Sequence, residues 1–375
     1  MIAFNQPTLL PNSLNFADSL GMTKKFSGDG SFSKKCHLWF EEKLGSKVLL
    51  TTSCTHALEM MAILLKIGPG DEVIVPSYTF VSTANAFALR GAKIVFVDIR
   101  ADTMNIDETL LEAAITSKTK AIVVVHYAGV SCEMDQILKI GQKHNIFILE
   151  DAAQGMMGLY KNKWLGTLGA LGTYSFHETK NYHCGEGGLL IINDPDMIKT
   201  AEIIREKGTD RSSFLRGEID KYTWQMIGSS YLPSEINAAF LWPQLHDAHH
   251  INHARLANWQ QYFTLLSPLA NKGFLELPVV PEGCTHNAHM FYLKTLTLEK
   301  RTALIEYLKQ KGVMAVFHYV PLHSAKAGQC FARLHGTDKY TTQESERLVR
   351  LPIWYGISEN EIQYIINTII EFYQL

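Results

Sequence analysis

The residues of this chain best suited to carbonyl chemistry are a lysine and an aspartate 29 positions apart (180 − 151). Lys180 lies in Ser175-Phe176-His177-Glu178-Thr179-Lys180-Asn181-Tyr182, with Gly185-Glu186-Gly187-Gly188 just behind it. Asp151 follows the apolar run Ile146-Phe147-Ile148-Leu149, within Glu150-Asp151-Ala152-Ala153-Gln154. A lysine that attacks a carbonyl must first lose its proton, which burial and nearby positive charge favour. A carboxylate at the end of a buried strand is costly unless it meets a cation or several donors. Pyridoxal phosphate answers both needs. The lysine binds its aldehyde, and the aspartate keeps its pyridine nitrogen protonated so that the ring accepts electrons. The glycines at 185, 187 and 188 predict a backbone packed close to something, which a surface loop would not need.

Three more groups fit the same cofactor. Ser53-Cys54-Thr55 sits between a strand and a helix, where free backbone amides and the helix dipole attract a phosphate. An ordinary helix cap reads the same way. Pro76-Ser77-Tyr78-Thr79-Phe80 follows the next strand, and Phe80 or Tyr78 has the ring to lie on a pyridine face. Gln154 and Ser175 are placed to meet the ring and the phosphate. A fourth group, His246, His249, His250 and His253, has the spacing of one helical face. No carboxylate pattern completes a metal site there, so no metal is expected.

Alternating elements position these residues. Strands are predicted at Lys47 to Thr51, Glu72 to Val75, Ala92 to Val97, Ala121 to His126 and Ile146 to Leu149. Helices between them are predicted at Thr55 to Lys66, Ser82 to Leu89, Glu108 to Ile115 and Glu133 to His144. Apolar strands separated by helices imply an α/β fold with a mostly parallel sheet covered on both faces. Further on, Leu232 to Leu269 reads as helix interrupted near Pro243. Then come a strand at Met290 to Leu296, a helix at Leu298 to Lys311, a strand at Met314 to Val320 and a helix at Glu359 to Tyr373. The expected division is a large domain over residues 1–249 and a small α/β domain over 250–375.

The 375 residues are 46% hydrophobic and 19% charged, with a net charge of −2, so no general field favours nucleic acid or an acidic membrane. No apolar run reaches membrane-spanning length. Six scattered cysteines without a CxxC pair, and no signal-like N-terminus, lead us to expect a cytoplasmic protein.

Taken in order, these segments resemble the DegT/DnrJ/EryC1/StrS family of sugar aminotransferases nearly end to end. The resemblance adds Ser27-Gly28-Asp29-Gly30 and His318-Tyr319-Val320-Pro321-Leu322-His323 to the segments above. It implies fold type I of the pyridoxal phosphate enzymes, the aspartate aminotransferase fold, and a homodimer with sites at the interface. It implies amino transfer from L-glutamate to C4 of a dTDP-linked 4-keto-6-deoxy sugar, for surface polysaccharide synthesis. By position, Lys180 becomes the Schiff-base lysine and Asp151 the partner of the ring nitrogen. Gln154 and Phe80 flank the ring. Ser53, Cys54, Thr55 and Ser175 hold the phosphate, and Gly28, Asp29, His318 and Tyr319 border the sugar. Many members reach the phosphate from the other subunit with an asparagine where this chain has Ser230. A 3-keto sugar aminotransferase remains an alternative. A sugar dehydratase of the family would carry histidine at the lysine position, and a non-catalytic protein would not need the full set.

Overall fold

The computed structural model describes residues 1–11 and 13–374. Its centre is an eight-stranded sheet in the order Lys47–Thr51, Gly188–Ile192, Leu171–Ser175, Phe147–Asp151, Thr119–Val125, Glu72–Pro76, Lys93–Val97 and Ala332–Leu334. Gly188–Ile192 runs antiparallel to both its neighbours, and every other pairing in the sheet is parallel. Strand residues alternate between two buried faces. Val48, Leu50, Ile74, Ile122, Val124 and Ile148 pack on one side with Phe40, Met134 and Leu241. Leu49, Val73, Val75, Ala121, Val123 and Leu149 pack on the other with the helix Cys54–Leu64. Burial on both faces is why these strands read as continuous apolar runs. Among the described residues, no helix is long and apolar enough to cross a membrane.

A second core gathers Trp259, Tyr262, Phe291, Leu293, Leu304, Val349 and Ile366. It lies among a three-stranded antiparallel sheet (Leu275–Glu276, Phe291–Thr295, Leu348–Leu351) and the helices Ala248–Asn271, Leu298–Gln310 and Glu359–Gln374. Two segments cross between the cores. Ala332–Leu334 joins the edge of the large sheet beside Lys93–Val97. At the other end of the chain, Ile2 bonds to Gly312 and Met314, while Thr8 bonds through Oγ1 to the carbonyl of Asn181.

Two expectations need correction. Met314 to Val320 is not a strand. Only Val316 bridges to Arg350, after which the chain leaves the sheet to carry His318 and Tyr319 inward. The helical interruption falls at Asp247 rather than near Pro243, which the helix Glu235–His246 contains. That break puts His246 on one helix and His249, His250 and His253 on the next. Among the described residues, no group of three or more His, Cys, Asp or Glu side chains is arranged to hold a metal.

Candidate active site

The carboxyl ends of Lys47–Thr51, Glu72–Pro76, Thr119–Val125, Phe147–Asp151 and Leu171–Ser175 point to one edge of the sheet. A cavity of about 610 Å³ opens there. Ser53, Cys54, Thr55, Phe80, Asp151, Gln154, Ser175, Lys180, His318 and Tyr319 all line it.

At one end, Ser53 caps the helix Cys54–Leu64, its Oγ accepting from the amide of His56 at 3.1 Å. The cap does not exclude a phosphate, because it leaves the Cys54 and Thr55 amides at a helix N-terminus lining the cavity. Thr55 Oγ1 and Ser82 Oγ lie 2.8 Å apart beside them. Gly188 explains part of the glycine run. A Cβ there would sit 2.4 Å from Cys54 N and 2.5 Å from the Ser53 carbonyl oxygen, so only glycine lets this strand touch the loop. Gly185 is required differently, by its backbone φ of +77°. Burial pushes the Cys54 thiol up to about 12, so it faces the cavity as a neutral group.

The neighbouring carboxylates Glu150 and Asp151 point to opposite sides of their strand and do different work. Glu150 is fully buried and accepts from the amides of Gly166, Leu168 and Gly169 and from His126 Nε2. It pins the strand end. Asp151 Oδ2 accepts from Thr83 Oγ1 at 2.6 Å, and its Oδ1 accepts from the Ala153 amide at 3.1 Å. Thr83 Oγ1 in turn lies 2.7 Å from Thr79 Oγ1. Each carboxylate oxygen still has a lone pair to offer the cavity.

Lys180 Nζ has no hydrogen bond or ion pair among the described residues. Burial lowers its proton affinity, and Arg350 lowers it further, against opposing contributions from Cys54 and Asp151. A lysine held this way is poised to act as a nucleophile and as a base. Gln154 accepts from the Ala128 amide at 2.7 Å and donates to Tyr319 Oη at 3.3 Å. Phe80 is 56% exposed at the mouth, 6.2 Å from the Tyr319 ring. Tyr78 is buried below, donating to the His318 carbonyl. His318 Nδ1 meets Tyr127 Oη at 2.9 Å, and burial with the charges of Arg350 and Lys180 keeps its imidazole neutral.

Three expected residues stand apart from the cavity lining. Gly28 packs against Leu232 and Pro233, and Asp29 forms a 2.8 Å ion pair with Arg205. Ser230 is exposed on a segment that bridges back to Glu206. Other lining residues escaped the sequence reading: Phe4, Asn5, His289 and Arg350. Arg350 stands 4.6 Å from the Phe4 ring centroid, its Nε is buried without a partner, and it forms no ion pair among the described residues. Nothing local marks it. Its guanidinium rests on Phe4, from the opposite end of the chain.

The donor set fits pyridoxal phosphate. There is an unpaired, deprotonation-prone lysine for the aldehyde and a carboxylate with spare capacity for the ring nitrogen. A helix N-terminus flanked by hydroxyls suits the phosphate.

Comparison with known proteins points the same way. Residues 18–370 match the profile of the DegT/DnrJ/EryC1/StrS aminotransferase family. The chain is 33% identical over 326 residues to a protein of Geobacillus stearothermophilus named pleiotropic regulatory protein, covering 86% of this chain and 84% of that one. The structure superposes on the aminotransferase TlmJ from Streptoalloteichus hindustanus with a TM-score of 0.91 at 27% identity, covering 100% of this chain and 99% of TlmJ. A DegT DnrJ EryC1 StrS aminotransferase from Brucella abortus gives a TM-score of 0.88 at 29% identity, with 96% and 95% covered.

Proposed function

The chain belongs to the DegT/DnrJ/EryC1/StrS aminotransferase family, and on that premise we propose that it moves the amino group of L-glutamate to C4 of dTDP-4-keto-6-deoxy-D-glucose. The product is dTDP-4-amino-4,6-dideoxy-D-galactose, a building block for surface polysaccharide. The fold is that of the pyridoxal phosphate aminotransferases, and the cofactor is pyridoxal phosphate. The observation that carries the reading is the convergence of Lys180, Asp151 and the Cys54 helix N-terminus on one cavity.

When bound, the cofactor supplies a carbonyl that holds the travelling amino group and a ring that takes up electrons. The chain's own residues do the rest. Asp151 holds a proton at the ring nitrogen, with Thr83 fixing the orientation of the carboxylate. Lys180 Nζ anchors the cofactor, then takes the proton from the donor's Cα and later returns one to the sugar carbon. Arg350, a cation without a counter-ion among the described residues, receives a carboxylate of the donor. Phe80 flanks the ring, and His318 and Tyr319 border the sugar from the cavity wall.

The active unit in this reading is a cytoplasmic homodimer with sites at the interface. Supporting it, the segment 211–231 leaves Leu215, Trp224 and Ile227 at 58, 78 and 59% exposure, apolar side chains that an interface would cover. Ser230 lies on the same segment and would reach the phosphate of the partner subunit's site.

The reading is tested by incubating the holoenzyme with L-glutamate and dTDP-4-keto-6-deoxyglucose, and separately with the 3-keto isomer. NMR then locates the new amine. Nitrogen at C4 from the 4-keto sugar is expected. Conversion of the 3-keto sugar alone would replace this substrate assignment with its regioisomer.

A further inference from the structure

Within the proposed sugar aminotransferase, we propose that His289 Nε2 accepts a hydrogen bond from a hydroxyl of the bound sugar, making it a residue of the sugar half-reaction only. The inference rests on how tightly the imidazole is held and on which nitrogen is left over. Arg255, buried in the small domain, donates from Nε and Nη2 to the Ala288 carbonyl at 3.1 and 3.0 Å, and from Nη2 to the His289 carbonyl at 2.9 Å. Asn287 Nδ2 donates to the carbonyls of Gln154 and Met156, both at 2.7 Å. The loop carrying His289 is therefore bolted to both cores, with Ala288 accepting a φ of +49°.

The tautomer follows from Asn181, the residue after Lys180. Its Nδ2 donates to the Asn287 carbonyl at 2.9 Å, so its Oδ1 is the atom that faces His289 Nδ1 at 3.1 Å. An amide oxygen only accepts, so Nδ1 carries the ring proton. Nε2 then keeps a lone pair and has no partner among the described residues, while the imidazole lines the cavity. Burial and the charges of Lys180, Arg350 and Arg255 keep the ring neutral.

The rest of the lining explains why an acceptor here selects the sugar. Arg350 is a cationic donor, suited to a carboxylate of glutamate, and Lys180 is committed to the cofactor and to proton transfer. Asp151 is committed to the cofactor nitrogen. Glutamate's only N–H group is the reacting amine, which the cofactor takes up. A sugar instead brings hydroxyls that need acceptors once water is excluded.

Two substitutions separate this role from a structural one. In His289→Asn, the side-chain amide nitrogen falls near the position of Nδ1 and keeps the bond to Asn181, while the Nε2 acceptor is lost. In His289→Gln, the amide oxygen reaches the Nε2 position. Calorimetry on the holoenzyme would compare dTDP-glucose, an unreactive nucleotide hexose, with dTDP, and stopped-flow would follow the glutamate half-reaction. For His289→Asn we expect about tenfold weaker dTDP-glucose binding, unchanged dTDP binding and a glutamate half-reaction within about twofold of wild type. His289→Gln should recover most of the hexose affinity.

Equal weakening for dTDP and dTDP-glucose, a slowed glutamate half-reaction, no change at all, or failure of both variants to take up cofactor would each overturn the assignment. Failure of the wild-type enzyme to bind either nucleotide would instead remove the dTDP-sugar reading on which the assignment stands.

Discussion

Replacing Gly188 by alanine should loosen the phosphate end of the site without touching a catalytic side chain. The new Cβ would lie 2.4 Å from Cys54 N and from the Ser53 carbonyl carbon, and 2.5 Å from the Ser53 oxygen. All three are backbone atoms, so no flexible side chain can swing away. Ordinary contact starts near 3.4 Å, so the Ser53–Cys54 peptide or the strand Gly188–Ile192 must move by roughly 1 Å. Overpacking of this kind costs about 1–3 kcal/mol of stability. The same displacement moves the amide that faces the phosphate. Losing one charge-assisted hydrogen bond costs about 1.5–3 kcal/mol, or roughly a 10- to 150-fold rise in the dissociation constant. Gly185→Ala is the control. Its Cβ meets nothing within 4 Å, so it carries only the strain of its +77° φ, about 1–2 kcal/mol, and leaves the loop in place. The assay is equilibrium binding of pyridoxal phosphate to apoenzyme, paired with urea unfolding. Loss of cofactor affinity in Gly188→Ala but not in Gly185→Ala is the expected pattern. Wild-type affinity in Gly188→Ala, or equal losses in both, would refute the reasoning.

Asp151→Asn should fold and bind cofactor yet lose most turnover, because a neutral amide cannot hold a proton on the ring nitrogen; near-normal steady-state rates would show that another group does so. Arg350→Gln should raise the KM for glutamate by about 10- to 150-fold with little effect on the sugar KM, as measured by varying each substrate at saturating levels of the other. His37 Nε2 accepts from the Leu50 amide, and burial, with Arg205 and Lys47, lowers its pKa to about 3. The unfolded chain therefore takes up a proton below pH 6.5 that the native one refuses. Stability is lost as pH falls through that window, by about 2 kcal/mol at pH 5, and His37→Gln should flatten the urea midpoint between pH 7.5 and 5. Ser230→Ala should weaken cofactor binding by about 1.5–3 kcal/mol if the serine reaches a partner's phosphate, and sedimentation with and without cofactor should find a dimer in which cofactor favours association.

Residues placed by their near neighbours were legible in the sequence. The large sheet could be read because apolar runs buried on both faces leave a continuous signal. Asp151, Ser53 to Thr55 and Lys180 could be read because each sits at a strand end or a turn that its own neighbours define. Met314 to Val320 misled for the same local reason. Its composition is that of a strand, but beyond Val316 no strand among the described residues pairs with it, and tertiary contacts from Tyr78 and Tyr127 take its end into the cavity. The places of His289 and Arg350 in the cavity lining were invisible because they depend on distant residues. The tautomer of His289 is set by Asn181, 108 positions away, and Arg350 rests on Phe4. Gly28 and Asp29 carry a recognisable pattern, yet in the single chain they face Leu232, Pro233 and Arg205.

The central claim is that one lysine site serves an amino acid and a keto sugar in turn. Its most direct test is a spectral titration of the holoenzyme. The visible absorbance of the lysine-bound cofactor should disappear on adding L-glutamate, with one equivalent of 2-oxoglutarate released per site. It should return on adding dTDP-4-keto-6-deoxyglucose, and Lys180→Ala should show neither change. A spectrum that responds to glutamate but is not restored by the keto sugar, or a Lys180→Ala protein that completes both steps, would contradict the account.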